Sequence, residues 1–389
     1  MLLTDAQVVT TSGVLDPGWL RIDEGRIVAV GSGSPPAPAG DRVELGGRWV
    51  VPGFIDLHVH GGGGRSMLTD NSAEIQAAAG FHGRHGTTRG LASIVSAPLV
   101  EMLAALAAVR DVVRHGPTNG THVIGSHLEG PFLSALRAGA HDPAHLLRPD
   151  PSIFDRMLEA ADGTLRVITV APELPGGLDL VRRAVDAGVV VAVGHSDANY
   201  ADATAAFGAG ASLVTHLFNG MRPWHHREPG LVGAAMERRD VVCELINDGI
   251  HLHDATARLA FEALGPARIA LVTDAIPAAG MGEGGFTLGS AAVSVRDGAV
   301  RLGDGETLAG STLTMDMALR RAVDRLEVPI TAAAAAASTT PARVLGIDSS
   351  VGSLAAGQEA DLVVLSDDLD VEAVMAAGRW ITSGRLFHI

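Results

Sequence analysis

Lysine is absent from all 389 residues, so the 29 basic side chains are all arginine. This excludes Schiff-base catalysis, pyridoxal phosphate anchoring, the Walker phosphate loop and any lysine-derived metal bridge. Cysteine occurs once, at Cys243. An internal disulfide and a cysteine-built metal cage are therefore excluded, and a reducing compartment, by default the cytoplasm, is expected. No apolar run approaches the roughly 18 residues of a membrane helix. The opening MLLTDAQVVT places Asp5 where a secretory leader needs unbroken apolar residues, and no basic residue precedes Arg21. A soluble, unprocessed chain with no membrane partner is expected. Basic residues are outnumbered 29 to 44 by acidic ones, for a formal charge of −15, which argues against a sequence-independent grip on nucleic acid or anionic lipid. Any anionic ligand must meet locally placed cations.

What the chain has in excess is histidine, with 16 residues, more than Phe, Trp and Tyr together. Hydrophobic residues at 47% against charged residues at 19% exclude a disordered chain and allow a sizeable core. The length fits two or three domains, or one large barrel with an accessory piece.

The first fifty residues read as short strands joined by glycine turns, followed by a Pro/Ala/Gly stretch at 34–40. From residue 51 short apolar runs alternate with Ala/Leu-rich segments of helical period. The strands are read at 49–59, 87–95, 121–129, 165–173, 189–196, 212–219, 241–248 and 268–275. Helices are expected at 72–84, 98–114, 151–161, 178–187, 199–209 and 254–264, then near 311–326 and 330–344, with a hairpin at 291–302. Eight strands with intervening helices predict a closed (β/α)8 barrel over 51–345 rather than an open dinucleotide-binding sheet. The tail returns to strands and turns, so 1–50 and 346–389 are expected to pair into one accessory β-domain. The alanine run 332–337 is read as a packed helix.

The predicted strand ends carry the chemistry. Strand one ends in Asp56, His58 and His60, strand three in His127 and Glu129, strand five in His195, strand six in His216 and Asn219, strand seven in Asp248 and strand eight in Asp274. In a (β/α)8 barrel these positions converge on one face. Residues two apart on a strand point the same way, so His58 and His60 can bind one ion. A lone histidine at a strand end is more often structural than a ligand; recurrence at one end after another is what points to a metal. The glycines at 61–64 read as a turn, not a phosphate cradle. His82, His85, His115, His122 and His145 read as surface or packing residues, Cys243 as core, and the loop HHREPG at 225–230 as an anion anchor through its arginine.

Nine motifs run in order over almost the whole chain: PGFIDLHVHG (52–61), HLEGPF (127–132), GAH (139–141), GHSDA (194–198), THLFNGM (215–221), HHREPG (225–230), DGIH (248–251), TDA (273–275) and LAGS (308–311). In them the sequence resembles the amidohydrolase superfamily and, within it, the deacetylases of phosphorylated N-acetyl amino sugars. HLEGPF and HLFNGM are specific to that narrower group. The resemblance implies hydrolysis of an acetamide to acetate and an amino-sugar phosphate. Glu129, His195 and His216 would bind the principal divalent ion, and His58 and His60 allow a second, bridged by Glu129; zinc and ferrous iron suit these donors alike. Asp274 would be the general acid/base, and His141 would polarise the carbonyl. Asn219, Gly220, Arg227 and His251 would hold the phosphate, and Ala140, Leu308, Ala309 and Gly310 the sugar. A homodimer or higher homo-oligomer is implied, with Arg227 serving its own or the neighbouring site. Glucosamine and galactosamine substrates stay open, and a non-catalytic scaffold is the rival from another class.

Overall fold

The computed structural model describes residues 1–35 and 41–382. Most of the Pro/Ala/Gly stretch and the last seven residues of the tail lie outside the described residues.

Eight parallel strands, Phe54–Asp56, Thr87–Val95, His122–Glu129, Leu165–Val170, Val190–Val193, Leu213–Val214, Val242–Ile246 and Ile269–Val272, hydrogen-bond to one another in chain order. They read as unbroken apolar runs because both faces are buried, one in the barrel interior and the other beneath helices. A parallel bridge between Val59 and Ala275 closes the ring. The His58 carbonyl accepts from the Asp274 N–H, and the Ala275 carbonyl from the His60 N–H, each at 2.8 Å. The closing seam thus fixes His58, His60 and Asp274 beside one another.

The expected single strand 49–59 is instead two strands in different sheets. Trp49–Pro52 pairs with Leu362–Leu365 and with Leu2–Thr10, whereas Phe54–Asp56 opens the barrel. The crossing sits at Gly53, where a Cβ would stand 2.4 Å from Thr88 Oγ1, so the two chain segments approach more closely than any side chain permits. The accessory sheet contains strands from both ends of the chain, as expected, in the order Arg379–Thr382, Val371–Ala376, Leu362–Leu365, Trp49–Pro52, Leu2–Thr10, Gly13–Asp23 and Arg26–Ser32.

All six early helices are present within a residue or two of expectation. A further helix, Gly230–Glu237, was not read from the sequence, because Pro229-Gly230 imitates a turn. The later pair is Met315–Asp324 and a helical stretch from Ile330 to Val344 whose middle, Ala335–Thr339, widens to a π-turn. The hairpin at 291–302 gains a third strand, Gly284–Leu288. Sixth in the barrel, Leu213–Val214 is much shorter than the expected 212–219, since left-handed residues at His216 (φ 29°) and Phe218 (φ 76°) take the chain out of the ladder. Among the described residues no helix is long and apolar enough to cross a membrane.

The barrel is tied to the accessory sheet by Arg89, whose Nε donates to Asp361 Oδ2 at 2.8 Å and whose Nη2 donates to Glu359 Oε2 at 2.5 Å. Arg89 is 8% exposed and Asp361 3%. Removing one partner of a buried pair leaves the other charge uncompensated, so Arg89→Ala is expected to lower stability by about 3 kcal/mol in urea unfolding. A loss under about 1 kcal/mol would mark the tie as no better than a surface pair.

Candidate metal centre and active site

Glu129, the last residue of the third barrel strand, sits at the centre of the cluster. Its Oε1 lies 3.0 Å from both His195 Nε2 and His216 Nε2. Its Oε2 lies 3.2 Å from His60 Nε2 and from His141 Nε2. On the seam side Asp274 Oδ1 is 3.3 Å from His60 Nε2 and 3.5 Å from His58 Nε2. The Nε2 atoms of His58 and His60 are 3.1 Å apart, and those of His195 and His216 are 3.0 Å apart. Ligand atoms each about 2.0–2.2 Å from one ion stand roughly 2.9–3.5 Å from one another, so these spacings are ones that donors to a shared ion would have. Two adjoining donor sets result: Glu129, His195 and His216, and next to them His58, His60 and Asp274, with Glu129 reaching both.

Hydrogen-bond partners decide which nitrogens are free to ligate. His58 donates Nδ1–H to Glu244 Oε2 at 3.0 Å, His60 to the Ser93 carbonyl at 3.2 Å, and His195 to the Arg137 carbonyl at 2.8 Å. Each therefore turns Nε2 to the centre, where that atom can take either a proton or an ion. His141 is wired the opposite way. Its Nδ1 accepts from the Ser96 N–H at 3.4 Å, which leaves the proton on Nε2 and makes that atom a donor rather than a ligand. His216 Nδ1 is buried without a partner among the described residues.

Electrostatics agree with a cation at the centre. Burial alone would lower His58 and His60, yet the carboxylates of Glu129 and Asp274 push His58 well above its ordinary range and His60 up to about 9. Protons and a divalent ion compete for the same place. Burial raises Asp274, but His58 and His60 outweigh it and bring the carboxyl down to about 2, so it stands ionised. His141 is pushed down to about 4, chiefly by burial, and stands neutral.

The fold supports these positions at some cost. His195 (φ 45°), His216 (φ 29°) and Asp274 (φ 49°) all occupy the left-handed region, which non-glycine residues seldom adopt. Supporting bonds come from Glu244, whose Oε2 also accepts the His216 N–H at 3.2 Å, and from the seam. Glu244 is fully buried and was not singled out in the sequence; the signal was an acidic residue inside the apolar run VVCELI.

A cavity of about 340 Å³ opens above the cluster. Of the expected residues it is lined by His60, Glu129, His141, His195, His216 and Asp274, and further by Ala140, Asn219, Gly220, His251, Leu308 and Gly310. His251 Nδ1 donates to Asp248 Oδ2 at 2.7 Å; burial lowers this imidazole, but the Asp248 bond prevails and raises it on balance. Leu288, Glu306 and Thr307, at the rim and unread in the sequence, come from the region of the three-stranded insert.

Other expected residues are not brought together. Ala309 is buried in the apolar cluster around Ile276 and does not border the cavity. Arg227 projects from an exposed turn closed by the His225–Glu228 bridge, its Nη1 2.7 Å from His226 Nε2. Asp56 holds Thr273 and the His58 N–H, and His127 is bonded between Ser93 and Thr169; neither joins the cluster. His82, read as packing, donates to the Gly61 carbonyl at 2.9 Å and so props the glycine loop behind His60. Cys243 is buried in the core, its thiol pushed up to about 12 by burial.

Comparison with known proteins places these residues in context. The model of the amidohydrolase family matches residues 49–381. The chain is 35% identical to the N-acetylglucosamine-6-phosphate deacetylase of Bacillus subtilis (strain 168), covering 97% of this chain and 96% of that one. It is 37% identical to the N-acetylgalactosamine-6-phosphate deacetylase of Escherichia coli O157:H7, covering 97% and 98%. Among solved structures, an N-acetyl-D-glucosamine-6-phosphate deacetylase mutant from Mycobacterium smegmatis in complex with N-acetyl-D-glucosamine-6-phosphate is 44% identical, with a TM-score of 0.93 over 98% of this chain and 99% of that one.

Proposed function

The chain belongs to the amidohydrolase family, and we propose that it hydrolyses the acetamide of N-acetyl-D-glucosamine 6-phosphate to D-glucosamine 6-phosphate and acetate, in amino-sugar catabolism and recycling. The observation that carries this reading is the gathering, at one cavity, of histidine Nε2 atoms around Glu129 beside a neutral Nε2–H donor on His141 and an ionised Asp274. Glu129, His195 and His216 would hold a divalent ion, zinc or ferrous iron, and His58 and His60 with Asp274 provide for a second. Bound there, such an ion supplies Lewis acidity, bringing the pKa of water toward about 7.

The chain's own groups do the rest. Asp274 takes the proton from water as it attacks the carbonyl carbon. The His141 Nε2–H donates to the developing oxyanion. Asp274 then returns the proton to the departing amine nitrogen, so one carboxyl serves first as base and then as acid. Asn219, Gly220 and His251, which line the cavity, would hold the phosphate, and Ala140, Leu308 and Gly310, also on its wall, the sugar. Retention of every donor counts against a non-catalytic scaffold. We place the reaction in the cytoplasm. The test is acetate release from the glucosamine and galactosamine 6-phosphates side by side, with and without chelator. Chelator-resistant turnover would overturn the metal reading, and preference for the galactosamine sugar would overturn the substrate.

We assign Arg227 to the phosphate, in the site of a neighbouring subunit of a homodimer or larger homo-oligomer. Among the described residues lining the cavity none is arginine, and only arginine can give a permanent side-chain cation here. Losing a charge-assisted contact of about 1.5–3 kcal/mol should weaken use of the phosphorylated sugar roughly 10- to 150-fold in Arg227→Ala. Activity on unphosphorylated N-acetylglucosamine should barely change. Mixing Arg227→Ala with Asp274→Asn subunits should restore activity, since one site of the mixed dimer then has both residues. No recovery despite proven subunit exchange would put Arg227 in its own subunit's site.

A further inference from the structure

The GHSDA motif holds an acidic residue without a part in the chemistry, Asp197, and the structure shows what it touches. Its Oδ1 accepts from Arg137 Nε at 2.8 Å and stands 2.7 Å from Arg137 Nη2. Its Oδ2 accepts from Arg222 Nη2 at 2.7 Å, while its carbonyl accepts from Arg222 Nε at 2.9 Å. Behind it Glu173 accepts from the Asp197 N–H at 2.6 Å and from Ser196 Oγ at 2.7 Å, so the backbone that carries the carboxylate is itself held in place. The Asp197 side chain is 19% exposed.

Three loops at the barrel mouth meet at this carboxylate. The loop after strand three carries Arg137, Ala140 and His141. The turn after strand five carries His195, and the loop after strand six carries Asn219, Gly220 and Arg222. The first of these has little regular structure beyond the three-residue turns Ala135–Arg137 and Pro143–His145. It is fastened to the turn after strand five by two hydrogen bonds to His195, Ser134 N–H to the His195 carbonyl at 2.9 Å and His195 Nδ1–H to the Arg137 carbonyl at 2.8 Å. The second link sets the His195 tautomer and ring plane, and the Arg137 side chain, forked onto Asp197, adds to the Arg137 N–H bond on the Ser134 carbonyl at 2.9 Å in fixing where the Arg137 carbonyl stands.

We propose that Asp197 is a positioning residue that acts through Arg137: it pins the Arg137 carbonyl on His195 Nδ1 and, in the same loop, sets His141 over the acetamide. The inference rests on the metal reading of His195 given above. Outer partners of ligating histidines typically contribute about 10- to 100-fold to metal affinity or activity.

The experiment measures metal affinity of the full chain by competition with a chelator, alongside kcat and KM. Asp197→Ala and Arg137→Ala are each expected to weaken metal binding by about 10- to 100-fold and to lower kcat more than they raise KM. The double variant is expected to be no worse than either single one, because both remove the same link. Arg222→Ala loses a guanidinium from the same carboxylate but leaves the Arg137 link, so its metal affinity should stay within about threefold of the parent. Should the alanine variants fail to fold, Asp197→Asn and Arg137→Lys keep the size and spoil the fork, and the same ordering applies to them. Unchanged metal affinity in the Asp197 and Arg137 variants, or losses that add in the double variant, would overturn the proposal. If the parent protein itself binds no metal, the metal reading fails instead, and the two failures are told apart by that control.

Discussion

Glu129→Gln is expected to lose metal and activity together. The carboxylate stands within 3.2 Å of four imidazole nitrogens, from His60, His141, His195 and His216, and supplies the negative charge that both donor sets share. Glutamine keeps the shape but removes the charge, and its NH2 has no lone pair to offer an ion. Removing one partner from a buried charge pair costs about 3–5 kcal/mol, which converts to roughly 10²- to 10⁴-fold in affinity. Metal content after gel filtration, read by elemental analysis, should fall toward zero, and acetate release should fall with it. Full activity in a metal-free variant would remove the basis of the site assignment. A variant that keeps its metal but loses turnover would make Glu129 a catalytic group instead of a ligand.

Asp274→Asn is expected to separate the two properties. Asp274 Oδ1 faces His58 and His60, and the proposed principal set, Glu129, His195 and His216, does not include it. The principal ion should therefore remain, while turnover falls by about 10²- to 10⁴-fold, the usual contribution of a positioned acid or base. The asparagine cannot accept and return a proton, although it can still occupy the same space. Near-normal turnover in this variant would mean that another group moves the proton. Loss of all metal would show that the two donor sets fill only as a unit.

Much of this site was readable in the sequence because a barrel strand delivers its last residues to one face whatever the rest of the chain does. The apolar runs determined the eight strands, and the residues at or just past their ends, His58, His60, Glu129, His195, His216 and Asp274, are the ones found together. Absence of lysine had already left histidine and carboxylate as the donors, and the flanking strand-and-turn segments foretold a sheet built from both termini. Spacing along one segment could not divide Trp49–Pro52 from Phe54–Asp56, because only Gly53 stands between them; their partners, Leu362–Leu365 and Thr87–Val95, lie far away in the chain. The same holds for function. Whether an imidazole ligates or donates depends on what its other nitrogen meets, and those partners, Glu244 for His58, Arg137 for His195 and Ser96 for His141, come from other strands and loops. Residue type and position at a strand end are local properties, fixed by the sequence itself; tautomer, charge and a place on or off the cavity wall are set by neighbours that only the folded chain supplies.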